Sequence, residues 1–425
     1  MVQTQRLKVN DMSLVDKNRL RVGLVLVGVM WVIVLLAVVM TTVAHTSRLD
    51  TRISLSSAER IRCKWGSRAG VETAIAVLND DFATNYSDSF DDLWASNPAD
   101  FNDVPLDGCS FTVQVSDEAG KLNINTAGKK QLMQLPNMTE EIADSILDWR
   151  DKNDDVREGG AEAGYYVNLP YGYDIRNGNF RTMRELLLVK GVTRALLYGG
   201  SGAEITEDSA GWIHYLTCYS YEKNTDAEGN SRINVNKATE KRLRRALGIS
   251  ASYAKWIVDN RKKGFKGIGE LISKNSPATP KKKGNSRDSD QAEPLDMETF
   301  FRIADKITVT DEKLIPGKVN VNTAPAAVLL ALFEGNEQVA ADVIAYRSGL
   351  TDGMADIGDL GQVKSFAKKN VAKNFIDRLT TRSSVFTIHS SAQAHATGAL
   401  GKVEAVVDRD KSPAQILYWR AGADY

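Results

Sequence analysis

The chain is poor in the residues on which most catalytic and metal-binding sites rely. It has three cysteines and four histidines in 425 residues. Cys63, Cys109 and Cys218 are far apart and in no CxxC pattern, so neither a zinc site nor a disulfide framework is indicated. One pair could oxidise outside the cytoplasm, which would leave an odd thiol. His45, His214, His389 and His395 form no HExxH or other ligand spacing, and there is no Gly-x-Ser-x-Gly elbow or Walker-type phosphate loop. Carboxylate pairs occur in any chain of this size and do not by themselves imply acid–base work. No enzyme is therefore expected. A charge excess is also lacking: 54 Lys and Arg balance 54 Asp and Glu. Nucleic-acid binders usually carry a clear basic excess, so this balance weighs against one. At this length one compact core is excluded, and two or three domains are expected.

What is present begins near the N-terminus. Val22 to Val43 carries no charge and is rich in Val, Leu and Met, about the 20 apolar residues a helix needs to cross a bilayer. Lys8, Lys17, Arg19 and Arg21 precede it, which puts the N-terminus in the cytoplasm and the rest outside. The run is too long for a cleaved secretory signal, and Ala44-His45-Thr46 is a poor cleavage site. Beyond it Leu49, Ile53, Ile61, Trp65 and Ala69 recur at multiples of four, an amphipathic helix continuing to about Leu78.

Alternation in Phe111-Thr112-Val113-Gln114-Val115 reads as a strand, and three more strands are expected at Val385 to Ile388, Lys402 to Val407 and Gln415 to Trp419. One strand before residue 120 and three after residue 380 suggest a single sheet interrupted by a large insertion. That insertion carries an internal repeat. Gly120-Lys121-Leu122-Asn123-Ile124-Asn125-Thr126-Ala127 recurs as Arg232-Ile233-Asn234-Val235-Asn236-Lys237-Ala238, and again as Gly317-Lys318-Val319-Asn320-Val321-Asn322-Thr323-Ala324. Each copy predicts a short strand and then helices, with the second Asn capping the first helix. Later helices are expected at Ile142 to Trp149, Tyr253 to Asn260 and Val339 to Tyr346. Glu185-Leu186, Glu270-Leu271 and Asp359-Leu360 follow them in turn. Residues 273–290, rich in Ser, Lys, Pro and Asn, read as a polar surface loop.

One segment has metal-binding spacing. Asp151, Asn153, Asp155 and Glu162 occupy positions one, three, five and twelve of an EF-hand-like loop, where alternate oxygen ligands converge on a hard cation. Val156 and Arg157 stand at positions six and seven, so the sharp glycine turn of an ordinary EF-hand is absent. Calcium is the expected ion, against a solvated acidic turn as the alternative. Tyr165, Tyr166, Tyr171 and Tyr173 suit loop packing around Pro170 better than a carbohydrate platform.

The arrangement resembles the minor pseudopilin K family of type II secretion systems. Arg21-Val22-Gly23 before Leu24 looks like a prepilin peptidase junction, and Trp31 lies where K subunits carry tryptophan. Gly28 replaces the glutamate that most pseudopilins have at the fifth mature position, a departure shared with K subunits. The stretch Arg68 to Ala74, the Asn-x-Asn-Thr-Ala starts, Asp148-Trp149-Arg150-Asp151 and Gly160-Ala161-Glu162 are also K-like. The three repeats look like helix-hairpin-helix modules, one more than expected, with the middle one as the extra.

The resemblance implies an α+β fold: a transmembrane pilin-type helix packed on a small antiparallel sheet, with a large inserted helical domain of helix-hairpin-helix-like units. It implies a leader over 1–23, the helix over 24–78, first sheet residues over 79–120, the insertion over 121–380 and closing strands over 381–425. Calcium in the head is a family property. The implied protein is non-catalytic and sits at the tip of the periplasmic pseudopilus, anchored in the inner membrane. Its implied partners are other minor pseudopilins, inner-membrane secretion components and prepilin peptidase. The alternative is a membrane-anchored helix-hairpin-helix DNA-binding protein. Against that, the hairpins Leu135 to Met138, Leu247 to Ser250 and Phe333 to Asn336 lack a Gly-x-Gly core, and Glu334 adds an acid.

Overall fold

The computed structural model describes the backbone of residues 9–200, 210–272, 294–411 and 413–422. The expected loop at 273–290 and the first eight residues lie outside these. One helix, α1 (Val9–Thr84), dominates the N-terminal part. Its apolar run is long enough to cross a membrane, with mean hydropathy 2.9 and no part of that window buried. The helix passes beyond Leu78 to Thr84, and its second half packs on a sheet.

That sheet has five strands in the order β1 (Val104–Leu106), β2 (Cys109–Asp117), β3 (Val385–Ala394), β4 (Leu400–Asp408) and β5 (Gln415–Ala421). All neighbours pair antiparallel. The central pair β2 and β3 joins residues separated by the whole insertion, with Phe386 opposite Asp117 and Ala394 opposite Cys109. Cys63, Val71, Ala74 and Leu78 of α1 form a core with Phe111, Val113, Phe386 and Ile388. All three cysteines are free thiols.

Of the apolar stripe read from periodicity, Ala69 packs against the sheet core and the larger members do not. Leu49, Ile53, Ile61 and Trp65 are exposed, Trp65 by 61%. Small residues take the packing face instead. A Cβ on Gly70 would meet Ser390 Oγ at 2.3 Å and Phe111 at 2.9 Å, and one on Gly66 would meet Cys109 Sγ at 3.1 Å. Glycine at these two positions lets the helix backbone lie directly on the strands.

The insertion consists of three modules built on one plan. Each opens with a two-residue strand and closes with another that pairs to it in parallel. The pairs are Leu122–Asn123 with Leu216–Thr217, Ile233–Asn234 with Ile307–Thr308, and Val319–Asn320 with Leu379–Thr380. Between them lie α2 (Glu140–Arg150) in the first module, α3 (Glu240–Leu247) and α4 (Ala251–Asn260) in the second, and α5 (Ala326–Leu332) and α6 (Glu337–Arg347) in the third. Their apolar residues merge into one continuous core running from Leu122 to Leu379.

The repeated asparagines do work different from the expected helix cap. The first Asn of each pair accepts the N–H of the second, at 2.9 Å for Asn123 and 3.0 Å for Asn234 and Asn320. The second Asn turns away from the helix and clamps a distant loop. Asn125, Asn236 and Asn322 each donate to a carbonyl and accept from the N–H of the same residue: Phe180, Phe265 and Met354 respectively. In the second module Thr239 caps the first helix instead, while the first helices of the other two modules start at Gly128 and Pro325 without a side-chain cap. An arginine at the end of the later helix completes the pattern. Arg150, Arg261 and Arg347 each donate to the carbonyls of residues 26 and 23 positions earlier, tying helix to opening strand. The acids of the Glu-Leu and Asp-Leu pairs accept the backbone N–H four residues before them, at Arg181, Lys266 and Ala355.

Candidate functional site

Two groups of three acids converge closely enough to hold a cation among the described residues: Asp81, Asp88 and Asp92, and Asp148, Asp151 and Glu162. The first already contains a cation from the chain. Arg409 is buried there, 2.9 Å from Asp81 and also bonded to Asp88, with its guanidinium 4.6 Å from the centre of the Phe386 ring. Asp81 lies in the last turn of α1 and Arg409 directly follows β4, so these ion pairs tie the end of the helix to the sheet. Burial, together with the nearby Asp117 charge, pushes Asp88 up to about 7 even beside Arg409.

The second group lies in the first module and is differently balanced. Asp148 stands in the last turn of α2 and Asp151 directly follows the helix. The chain then loops out and returns through Gly159-Gly160. A Cβ on Gly160 would fall 1.8 Å from Asp148 Oδ2, so only glycine permits this approach. The return delivers Glu162 to the two aspartates, with the three carboxylates' ligand oxygens all within 4.8 Å of one another. Glu162 is 4% exposed, and neither of its carboxylate oxygens has a hydrogen-bond partner. Burial, then the charges of Asp148 and Asp151, push its carboxyl up to about 7. The Arg157 guanidinium is the cation at hand, bonded to Asp148 and 2.6 Å from Asp151.

Of the four residues with EF-hand spacing, the fold brings Asp151 and Glu162 together. Asn153 and Asp155 are exposed and outside the cluster; the Asn153 side chain accepts the Asp155 N–H at 2.8 Å. Asp148 takes part instead. Helical spacing offers a signal for it, because Asp144 and Asp148 share the buried face of α2. The donor set suits a hard divalent cation: three carboxylates, one of them buried and unpartnered. Tyr166 is buried with its ring edge-on to Trp149 at 5.1 Å, as loop packing requires, whereas Tyr171 is 93% exposed and does not pack as expected.

Behind this module a buried ionic hub ties the others together. Glu222 accepts both terminal nitrogens of Arg232 at 2.7 and 2.8 Å, Lys318 Nζ at 2.9 Å and Thr380 Oγ1 at 2.8 Å. Arg232 and Arg382 also reach Asp305. Lys318 and Arg232 hold the Glu222 carboxyl well below its ordinary range in spite of burial. Since Arg232 opens the second module and Lys318 the third, the hub fixes both on one centre. The third module is bound in turn to the sheet domain, where Asn320 donates to Asp117 at 3.1 Å and Ser383 at 3.0 Å.

The architecture therefore defines a class: a membrane-anchored pilin-like head whose sheet is opened to admit a large helical insertion. Two stretches match family models described as "Type II secretion system (T2SS), protein K", residues 115–198 and residues 319–382. These are most of the first module and the whole of the third. The fold is similar to a chain of the GspK-GspI-GspJ complex from the enterotoxigenic Escherichia coli type 2 secretion system. That match has a TM-score of 0.50 and 13% identity, and covers 88% of this chain and 99% of that one. The two matched stretches cover about a third of the chain and are similar to protein K of the type II secretion system, and the fold is like that of a chain of the GspK-GspI-GspJ complex. A second likeness is to endonuclease/exonuclease/phosphatase family domain-containing protein 1. The Xenopus laevis protein is 28% identical over 174 residues, 40% of this chain, and the Homo sapiens protein 27% identical over 177 residues, 39% of it. This chain spans 26% of the length of either relative.

Proposed function

We propose that the chain is a non-catalytic minor pseudopilin that starts or caps the tip of a periplasmic pseudopilus used for protein export. It is cut between Gly23 and Leu24 by prepilin peptidase and anchored in the inner membrane with its head in the periplasm. Its partners are other minor pseudopilins and inner-membrane secretion components. The observation that carries this reading is the outer face of α1. Leu49, Ile53, Ile61 and Trp65 stay exposed after the head has packed, and they continue the apolar run that begins at Leu24. A stripe of this length, left open by its own domain, suits a helix that packs beside those of neighbouring subunits. Gly28 in the apolar run supplies no carboxylate for a neighbour's terminal amine, so this subunit needs no subunit above it. The three modules widen the head past the end of α1 and would obstruct addition there.

In this reading Asp148, Asp151 and Glu162 hold calcium. The ion would neutralise the buried Glu162 and pin the 151–162 loop to α2, leaving Arg157 to solvent. DNA capture is the weaker reading, since the chain as a whole carries no basic excess. The test of tip placement is to label the chain and image pseudopili formed by excess major pseudopilin. One label at a filament end supports the proposal. Label spread along the shaft contradicts it.

A further inference from the structure

The charge balance of the whole chain conceals a local excess. Between Ser231 and Ile272 there are eleven lysines and arginines and three acids, whereas residues 317–382 of the third module have eight and seven. On α3 only Leu243 and Leu247 are buried, so Lys241, Arg242, Arg244 and Arg245 all point outward. Lys262 and Lys263, just past α4, are exposed as well. None of these six takes part in an ion pair among the described residues, although Arg261 beside them is committed to the carbonyls of Val235 and Ala238. On α3 the pairs Lys241–Arg245, Lys241–Arg244 and Arg242–Arg245 are like charges three or four residues apart, a spacing that disfavours an isolated helix. Glu240 stands four residues before Arg244, and Arg244 and Arg245 lie in the last turn, but among the described residues no carboxylate pairs with any of the six. This middle module also lies between the two stretches that match the family models.

We infer that the outward face of α3, with Lys262 and Lys263, is a docking surface for an acidic polypeptide face. Charge complementarity names the partner's sign, and geometry narrows its class. Lys223, next to the Glu222 that pairs with Arg232 of the middle module, lies 5.2 Å from the Phe82 ring near the end of α1; from Val43 to Phe82 the helix spans about 60 Å, so the anchoring membrane's own headgroups lie far outside the ~8 Å range of screened charge. A nucleic acid would need free hairpin amides to hold a phosphate. The turn between α3 and α4, Leu247-Gly248-Ile249-Ser250, lacks the Gly-x-Gly core for this, and its Gly248 N–H is already bonded to the Arg244 carbonyl. The inference does not depend on the pseudopilin assignment.

The test uses the full chain in detergent micelles and measures fluorescence anisotropy with labelled poly-L-glutamate and with a short DNA duplex. Poly-L-glutamate should bind more tightly than the duplex. Arg242→Gln/Arg244→Gln/Arg245→Gln should weaken it by about tenfold or more, and Lys262→Gln/Lys263→Gln should weaken it as well. Lys364→Gln/Lys368→Gln/Lys369→Gln in the third module should leave it unchanged. Thermal unfolding of each variant separates lost binding from lost folding, and removal of like charges should not lower the unfolding temperature. Equal losses from both modules overturn the proposal, as does tighter binding of DNA, or tighter binding of phosphatidylglycerol vesicles through the same residues.

Discussion

Replacing Asn322 with alanine tests whether the repeated asparagines hold the modules closed. The Asn322 side chain donates to the Met354 carbonyl at 3.0 Å and accepts the Met354 N–H at 2.8 Å. Asn322 is 5% exposed and Met354 fully buried. Alanine would leave a buried donor and a buried acceptor without partners, each worth about 1–3 kcal/mol, so the expected loss is about 2–5 kcal/mol. Asn236 makes the same two bonds to Phe265, and one more to the Val309 carbonyl at 3.0 Å, but from a half-buried position where water can substitute for them. Its alanine variant should lose only about 1 kcal/mol. Hydrogen exchange of the full chain in micelles reads the difference directly. Protection of residues 350–356 should fall by about 30-fold or more in Asn322→Ala, and the equivalent loop near Phe265 much less in Asn236→Ala. Equal effects at positions 322 and 236 would refute the burial argument, and no effect at 322 would refute the clamp itself.

Three other outcomes follow from the geometry. Calcium should raise the unfolding temperature of the protein, and Glu162→Gln should abolish most of that shift in calorimetry. Without calcium the folded Glu162 keeps its proton up to about 7 while the unfolded side chain releases it near 4.5. Stability should therefore fall as pH rises through that window, and calcium affinity should rise over the same range. Gly70→Ala should cost about 1–3 kcal/mol in thermal unfolding, because the added methyl meets Ser390 and Phe111. Glu222→Gln should cost about 3–5 kcal/mol by leaving Arg232 and Lys318 buried without their shared counter-charge.

The sequence reveals those parts of this fold that local patterns encode. The anchor is a plain apolar run, and the sheet strands carry β-branched and aromatic alternation. The modules announce themselves because one backbone arrangement demands the same Asn-x-Asn each time. The packing face of α1 is hard to see in the sequence for a physical reason: close helix–sheet contact selects Gly66, Gly70 and Ala74, which are only weakly apolar, while the conspicuous Ile61 and Trp65 face outward. The closing strands escape notice at two residues each, too short for any period. Their shared signal is a Leu-Thr or Ile-Thr pair, Leu216-Thr217, Ile307-Thr308 and Leu379-Thr380. In the acidic site, loop spacing pointed to Asn153 and Asp155, but convergence there depends on Asp148 of a helix and on a return through Gly160. Linear spacing does not encode that return.

The central claim, a pseudopilin anchored by a processed helix, is tested most directly by the intact mass of the protein from membranes with and without the cognate prepilin peptidase. The account predicts a mature chain beginning at Leu24 only when the peptidase is present. A chain that still carries Met1 to Gly23 in both preparations would contradict it.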